Sequence, residues 1–160
     1  MEGFSFEETC RRHYTEVVRV AFLVTGDREE ALDVAQETFA RAYERWGQVS
    51  TMENPVGWLI RVATNLSLSH RRWSVRRAHT LPAPEADTPV LGDPSIQTAL
   101  SLLTPAQRAA VVLRFYLDMS IEETARTLGK RQGTVRALTS QGVARLREQL
   151  GASWLEVRDE

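Results

Sequence analysis

The sequence predicts an all-α protein of two small helical domains joined by a proline-rich linker. Three observations lead there. Apolar residues recur at steps of three and four in both halves, and no apolar/polar alternation runs long enough to build a sheet. Four of the six prolines, Pro82, Pro84, Pro89 and Pro94, crowd into AHTLPAPEADTPVLGDPS, a stretch with no sustained apolar period. The boundaries that follow are a first domain over 1–77, a linker over 78–95 and a second domain over 96–160. With 160 residues, 42% of them hydrophobic, the chain can bury two small cores.

The elements follow in order. Ser5 with Glu8 has capping-box spacing, and Tyr14, Val17, Val18, Ala21 and Phe22 then repeat at helical steps until Gly26. Asp27 with Glu30 opens a second helix with Ala31, Val34, Ala35, Thr38, Phe39, Ala42 and Trp46 on its buried stripe and Asp33, Glu37, Arg41 and Glu44 on the wet side. A loop from Gly47 to Thr51 comes next. Asn54 and Pro55 then supply an N-cap and a first-turn proline for a third helix running towards Arg72 or beyond. In the second half, Ile96, Ala99, Leu100 and Leu103 mark a short amphipathic helix, and Thr104-Pro105 restarts the chain. Ser120 with Glu123 caps a helix that ends at Gly129, and a final helix spans about Gln132 to Leu150.

A net charge of −1 argues against indiscriminate coating of nucleic acid, but the signs are segregated. Arg61, Arg71, Arg72, Arg76 and Arg77 occur in a stretch without an acid, and so do Arg126, Lys130, Arg131, Arg136, Arg145 and Arg147. Each basic stretch coincides with a helix that suits nucleic acid. Helix, glycine turn and basic helix make a helix-turn-helix, whose second member presents Arg131, Gln132, Thr134 and Arg136 at its N-terminal end, the end that reaches base edges in the major groove. Arginine pairs bidentately with guanine and glutamine with adenine, each worth about 1–3 kcal/mol of discrimination. Arg145 and Arg147, further along, suit phosphates. On the third helix, Leu59, Val62, Ala63 and Leu66 form a packing stripe, while Trp58, Arg61, Asn65, Ser69 and Arg72 recur on a neighbouring face. An aromatic, amide and cationic surface suits unstacked single-stranded bases. The 18 residues of the linker, extended at about 3.1 Å each, span roughly 55 Å, more than one DNA turn of about 34 Å.

With these parts in this order the chain resembles the sigma-70 family, in the minimal form of extracytoplasmic-function (ECF) sigma factors. DVAQETFARAYERW is similar to the family's second-region helix, NPVGWLIRVATNLSLSHRR to its strand-opening helix and LTPAQRAAVVLRFYLDMSIEETARTLGKRQGTV to its C-terminal DNA-binding region. The resemblance implies an alternative sigma factor that binds core RNA polymerase and directs transcription initiation. Asp33, Gln36, Glu37 and Arg41 would meet the clamp helices of the largest subunit, and the loop from Gly47 to Asn54 would capture a flipped base of the minus-ten element. Trp58, Arg61, Asn65, Ser69, Arg71 and Arg72 would hold the opened strand. Arg131, Gln132, Thr134, Arg136, Ser140 and Arg145 would meet the minus-thirty-five element, with the same domain docking on the flap of the second-largest subunit. An anti-sigma factor is a further partner of this class. The chain also departs from the pattern. Ser69 stands where the family commonly has aspartate, and Lys130 replaces a usual apolar residue. Ala137, Leu138, Ser140 and Gln141 occupy usually serine or strongly basic positions, and Gly142 costs up to about 1 kcal/mol in mid-helix. Fewer cations imply a shallower salt dependence at the upstream element.

Two other readings are weighed. A response-regulator-like helix-turn-helix protein would need an α/β receiver domain, which the helical pattern of 1–77 does not fit. A polymerase-binding adaptor without DNA contact would leave the basic face of the last helix without a role. No catalytic constellation, metal spacing among His13, His70 and His79, or cofactor motif is found, so neither an enzyme nor a cofactor is expected. The single cysteine, Cys10, excludes an intrachain disulfide and reads as a half-buried thiol. No apolar run reaches spanning length and the N-terminus lacks a secretory pattern, which points to a cytoplasmic protein without membrane insertion.

Overall fold

The computed structural model describes residues 5–69 and 93–151, and among these residues the regular elements are all helical. Arg71, Arg72, Arg76, Arg77, His70, His79 and the linker prolines 82, 84 and 89 lie outside the described residues. The chain divides into two compact units, Met1–Leu91 and Gly92–Glu160.

In the first unit, α1 (Phe6–Thr25), α2 (Arg28–Glu44) and α4 (Pro55–Leu68) pack against one another, with the single turn α3 (Trp46–Val49) between the last two. Side-chain caps start the long helices: Ser5 Oγ accepts from the Glu8 N–H at 3.2 Å, Asp27 Oδ1 from Glu30 at 3.0 Å and Asn54 Oδ1 from Gly57 at 2.9 Å. Gly26, at φ 75°, takes the left-handed conformation that closes α1. The core is valine- and alanine-rich, with Val17, Val18, Val20, Ala21, Ala31, Val34, Ala35, Val49, Leu59 and Ala63 fully buried. Two buried hydroxyls bond within their own helices, Thr38 donating to the Val34 carbonyl at 2.8 Å and Ser67 to that of Ala63 at 2.7 Å.

Four sequence expectations are revised here. Glu37 is not on the wet side of α2: it is 9% exposed, and its Oε1 accepts from Arg41 Nε at 3.1 Å. A carboxylate at the margin of an apolar stripe stays there because a cation one turn away neutralises it. Trp46 does not extend the α2 stripe, because α2 stops at Glu44 and Trp46 opens α3. The stretch Gly47 to Thr51 is therefore largely helical, pinned by fully buried Val49. Helix α4 closes at Leu68 with Ser69 as its C-cap. Ile60, Thr64 and Ser67 also join its buried side.

The second unit begins with α5 (Pro94–Leu100), two residues before the position Ile96 at which the sequence pattern begins, because Asp93 caps it by accepting from the Ser95 N–H at 2.8 Å. The same bonds hold the Asp93 carboxyl below its usual pKa. Helix α6 (Pro105–Val111) has a reciprocal capping box between Thr104 and Gln107, and it runs into a π-helical turn, Val112–Tyr116, where the Leu117 N–H reaches the Val112 carbonyl five residues back. Arg108 of α6 is 6% exposed, and its Nη2 donates to Gln97 Oε1 of α5 at 2.6 Å. Burial lowers its pKa from the usual arginine value. Helices α7 (Ile121–Leu128) and α8 (Gln132–Leu150) complete the unit, and α8 lies against both α6 and α7.

The approach of α8 to α6 depends on Gly142. A Cβ placed there would stand 2.6 Å from Val111 Cγ2. Val111 is 5% exposed and β-branched, so it has little freedom to give way. The glycine that reads as a helix-weakening residue in the sequence is thus the close-approach point of the unit. Gly142→Ala is expected to destabilise the second unit by about 1–3 kcal/mol through overpacking, whereas Gly133→Ala in the same helix, where nothing lies within 4 Å, should stabilise it by up to about 1 kcal/mol. Thermal denaturation of the two variants checks the pair. Cys10 is half-buried, and burial first, then the Glu7 carboxylate, raises its thiol pKa. At about pH 8 alkylation by iodoacetamide should be slower in the folded chain than in denaturant, and Glu7→Gln should lower the pH at which the rate rises.

Candidate nucleic-acid and polymerase interface

Helix α4 carries the first face. Its buried side holds Leu59, Ile60, Ala63 and Leu66, which turns Arg61, Asn65 and Ser69 outwards as exposed residues, with Trp58 half-buried beside them. Steps of three and four residues keep these four side chains on one strip of the helix. Half-buried Trp58 keeps part of its surface accessible, as a stacking platform requires. Ser69 is committed locally, its Oγ lying 3.0 Å from the Asn65 carbonyl and 3.3 Å from that of Leu66, so its hydroxyl proton is used within the helix end. Arg71 and Arg72, expected to continue the strip, lie outside the described residues. The loop expected over Gly47–Asn54 is reduced to the stretch after α3, where Thr51 Oγ1 donates to the Gln48 carbonyl at 2.8 Å and Met52 is exposed.

A second face of the same unit lies on α2. Asp33 and Gln36 are half-buried, Arg41 is exposed, and Glu37 lies beneath as the anchor of Arg41. Pattern reasoning passed over Tyr43. It is 68% exposed, with Phe6 of α1 edge-on at 5.2 Å and Phe6 also 5.5 Å from Trp46. The i, i+4, i+7 relation among Gln36, Ala40 and Tyr43 places the tyrosine along the same side of the helix. The available signal was weak: an aromatic residue just off the apolar stripe is ambiguous until its burial is known.

The third face belongs to the helix pair α7 and α8. The Ser120–Glu123 capping box is reciprocal, with bonds of 3.0 and 2.9 Å. Gly129, at φ 64°, reverses the chain in the left-handed conformation, and the Lys130 N–H closes the turn on the Ala125 carbonyl at 3.0 Å. Helix α8 then buries only Val135, Gly142 and Leu146. Arg131, Gln132, Thr134, Arg136 and Ser140 are all exposed. Arg131 is the N-cap, and no side chain caps the helix start, so its first N–H groups and positive dipole end are left outward beside two arginines. Arg145 is also exposed, and its Nη1 donates to the Leu102 carbonyl at 3.0 Å, in the turn between α5 and α6. Among the described residues no group of histidine, cysteine and carboxylate side chains could hold a metal ion, and no helix is long and apolar enough to cross a membrane.

Comparison with known proteins bears on the same two halves. The family model for sigma-70 region 2 matches residues 10–77, and that for sigma-70 region 4 matches residues 94–146. The RNA polymerase sigma-E factor of Streptomyces coelicolor is 33% identical over 98% of this chain and 92% of its own length. The ECF RNA polymerase sigma factor SigM of Mycobacterium tuberculosis is 32% identical over 94% of this chain and 79% of its own. Among solved structures, the sigma factor RpoE of Bartonella quintana, crystallised with the anti-sigma factor NepR, matches with a TM-score of 0.72 at 22% identity, covering 91% of this chain and 96% of that one. Mycobacterium tuberculosis SigJ matches at 0.62 and 23% identity, covering 87% of this chain and 52% of that one. These structural likenesses support the helical fold. The sequence matches across both halves show that the chain belongs to the sigma-70 family, among its extracytoplasmic-function sigma factors.

Proposed function

We propose that this chain directs transcription initiation as an alternative sigma factor, binding core RNA polymerase and recognising both promoter elements. The observation that carries the reading is the coexistence in one chain of two complementary nucleic-acid faces. The α4 strip of Trp58, Arg61 and Asn65 suits unstacked bases, and the open, arginine-bearing start of α8 suits intact duplex. The first unit would hold the melted minus-ten strand, with Arg71 and Arg72 continuing the strip. The second would read the minus-thirty-five element through Arg131, Gln132, Thr134, Arg136 and Ser140, and dock on the polymerase flap. Asp33, Gln36, Arg41 and Tyr43 would meet the clamp helices, with Glu37 holding Arg41 in place. The protein acts by binding and not by catalysis, in the bacterial cytoplasm where polymerase works, and an anti-sigma factor that covers these faces would regulate it. A response-regulator-like regulator has less support, because the first unit is a helical bundle and not an α/β receiver.

The purified chain added to core polymerase is expected to give run-off transcripts from a selected subset of promoters; transcription no different from core enzyme alone would refute the proposal. Trp58→Ala with Asn65→Ala should impair strand opening, read by permanganate reactivity, while closed-complex binding is retained. Arg136→Ala should cost about 1–3 kcal/mol at the upstream element and relax preference at one base pair in a binding-selection assay. Tyr43→Ala should weaken association with core polymerase without changing the helical circular-dichroism signal.

A further inference from the structure

Helix α8 is 19 residues long, and its two ends have different surroundings. The first two turns are solvent-facing apart from Val135 and the half-buried Leu138 and Thr139. The middle and rear carry three ties to the rest of the unit. Gly142 brings the backbone against Val111 and Gln107 of α6. Gln141 Oε1 accepts from Gln107 Nε2 at 3.2 Å. Arg145 Nη1 donates to the Leu102 carbonyl at 3.0 Å, a bond across 43 residues of sequence to the α5–α6 turn. Gln107 is itself fixed, since its Oε1 accepts from the Thr104 N–H at 3.2 Å in the α6 capping box.

We infer that Gln141 and Arg145 are positioning residues, which set the angle of the recognition helix by binding α6 and the α5–α6 turn and do not contact promoter DNA. The inference rests on the reading of the second unit as a duplex reader. Arg145 lies 13 residues beyond Gln132, which at 1.5 Å per residue is about 20 Å along the axis. A tilt of about 5° at that anchor moves the reading end by about 1.7 Å, more than a hydrogen bond to a base edge tolerates. Short ties far from the contact therefore govern the whole reading surface at once. This separates them from Arg136, whose influence would be confined to the base pair it touches.

The measurement uses the full chain assembled with core polymerase on a duplex chosen by selection from a random library, compared with an unrelated duplex, across a salt series. Arg145→Ala should lower affinity for the selected duplex about five- to tenfold, with the loss spread over all positions of the element. Affinity for the unrelated duplex and the slope of log affinity against log salt should stay as in the parent chain, and Gln141→Ala should show the same pattern more weakly. A slope shallower by about 0.9, with both duplexes weakened alike, would identify Arg145 as a phosphate contact and overturn the inference. Unaltered binding to the selected duplex would overturn it too. So would a binding loss that disappears once the unfolded fraction, read from a thermal melt, is allowed for. A parent holoenzyme that shows no preference for any duplex fails earlier and differently, because that result removes the duplex-reading assignment of the unit itself.

Discussion

The whole arrangement depends on how closely helices can approach with very little side chain between them. Ala21, Ala31, Ala35 and Ala63 are fully buried in the first unit, and Ala109 and Ala110 in the second, where Gly142 is buried as well. Small residues at the seams bring backbones near enough that a narrow stripe suffices to hold each helix. Helix α8 is the extreme case, nineteen residues long with Val135, Gly142 and Leu146 as its buried ones. A wider apolar stripe would hold it more firmly, but would consume the surface with which it meets a partner.

The same economy explains why one short chain can offer three separate faces. In the first unit, α2 and α4 each give one side to the shared core and keep another outward, which under the proposed function serves protein in one case and melted strand in the other. Charged groups next to the packing stripes are held and not loose: Glu37 is paired with Arg41, and Arg108 is bonded to Gln97. Fixed partners at the edges of the core limit how far each face can deform when it binds, which favours recognition by preformed surfaces.

Much of this was legible in the residues. Helix starts were, because Ser5, Asp27, Asn54, Thr104 and Ser120 each have the chemistry to accept an N–H at the right spacing. The left-handed stops at Gly26 and Gly129 were legible for the same kind of local reason. Exposed Arg61, Asn65, Arg131 and Arg136 followed from period alone. What escaped depended on tertiary context. The π-helical turn at Val112–Tyr116 has no local signature, and Asp118, at φ 54°, turns the chain where no glycine advertises it. The meaning of Gly142 changes sign once Val111 is known to face it. Glu37 was placed by charge on the wet side of α2 yet is 9% exposed, and the bond of exposed Arg145 to the Leu102 carbonyl joins groups 43 residues apart whose proximity the sequence does not disclose.

The aromatic trio at the start of α1 has a practical consequence. Phe6 is the first residue of the helix, yet its ring braces Tyr43, some 37 positions later. Trimming the chain past Phe6, or replacing its ring, would take that brace away from the exposed Tyr43. Any shortened form made for reconstitution work should therefore keep Ser5 and Phe6.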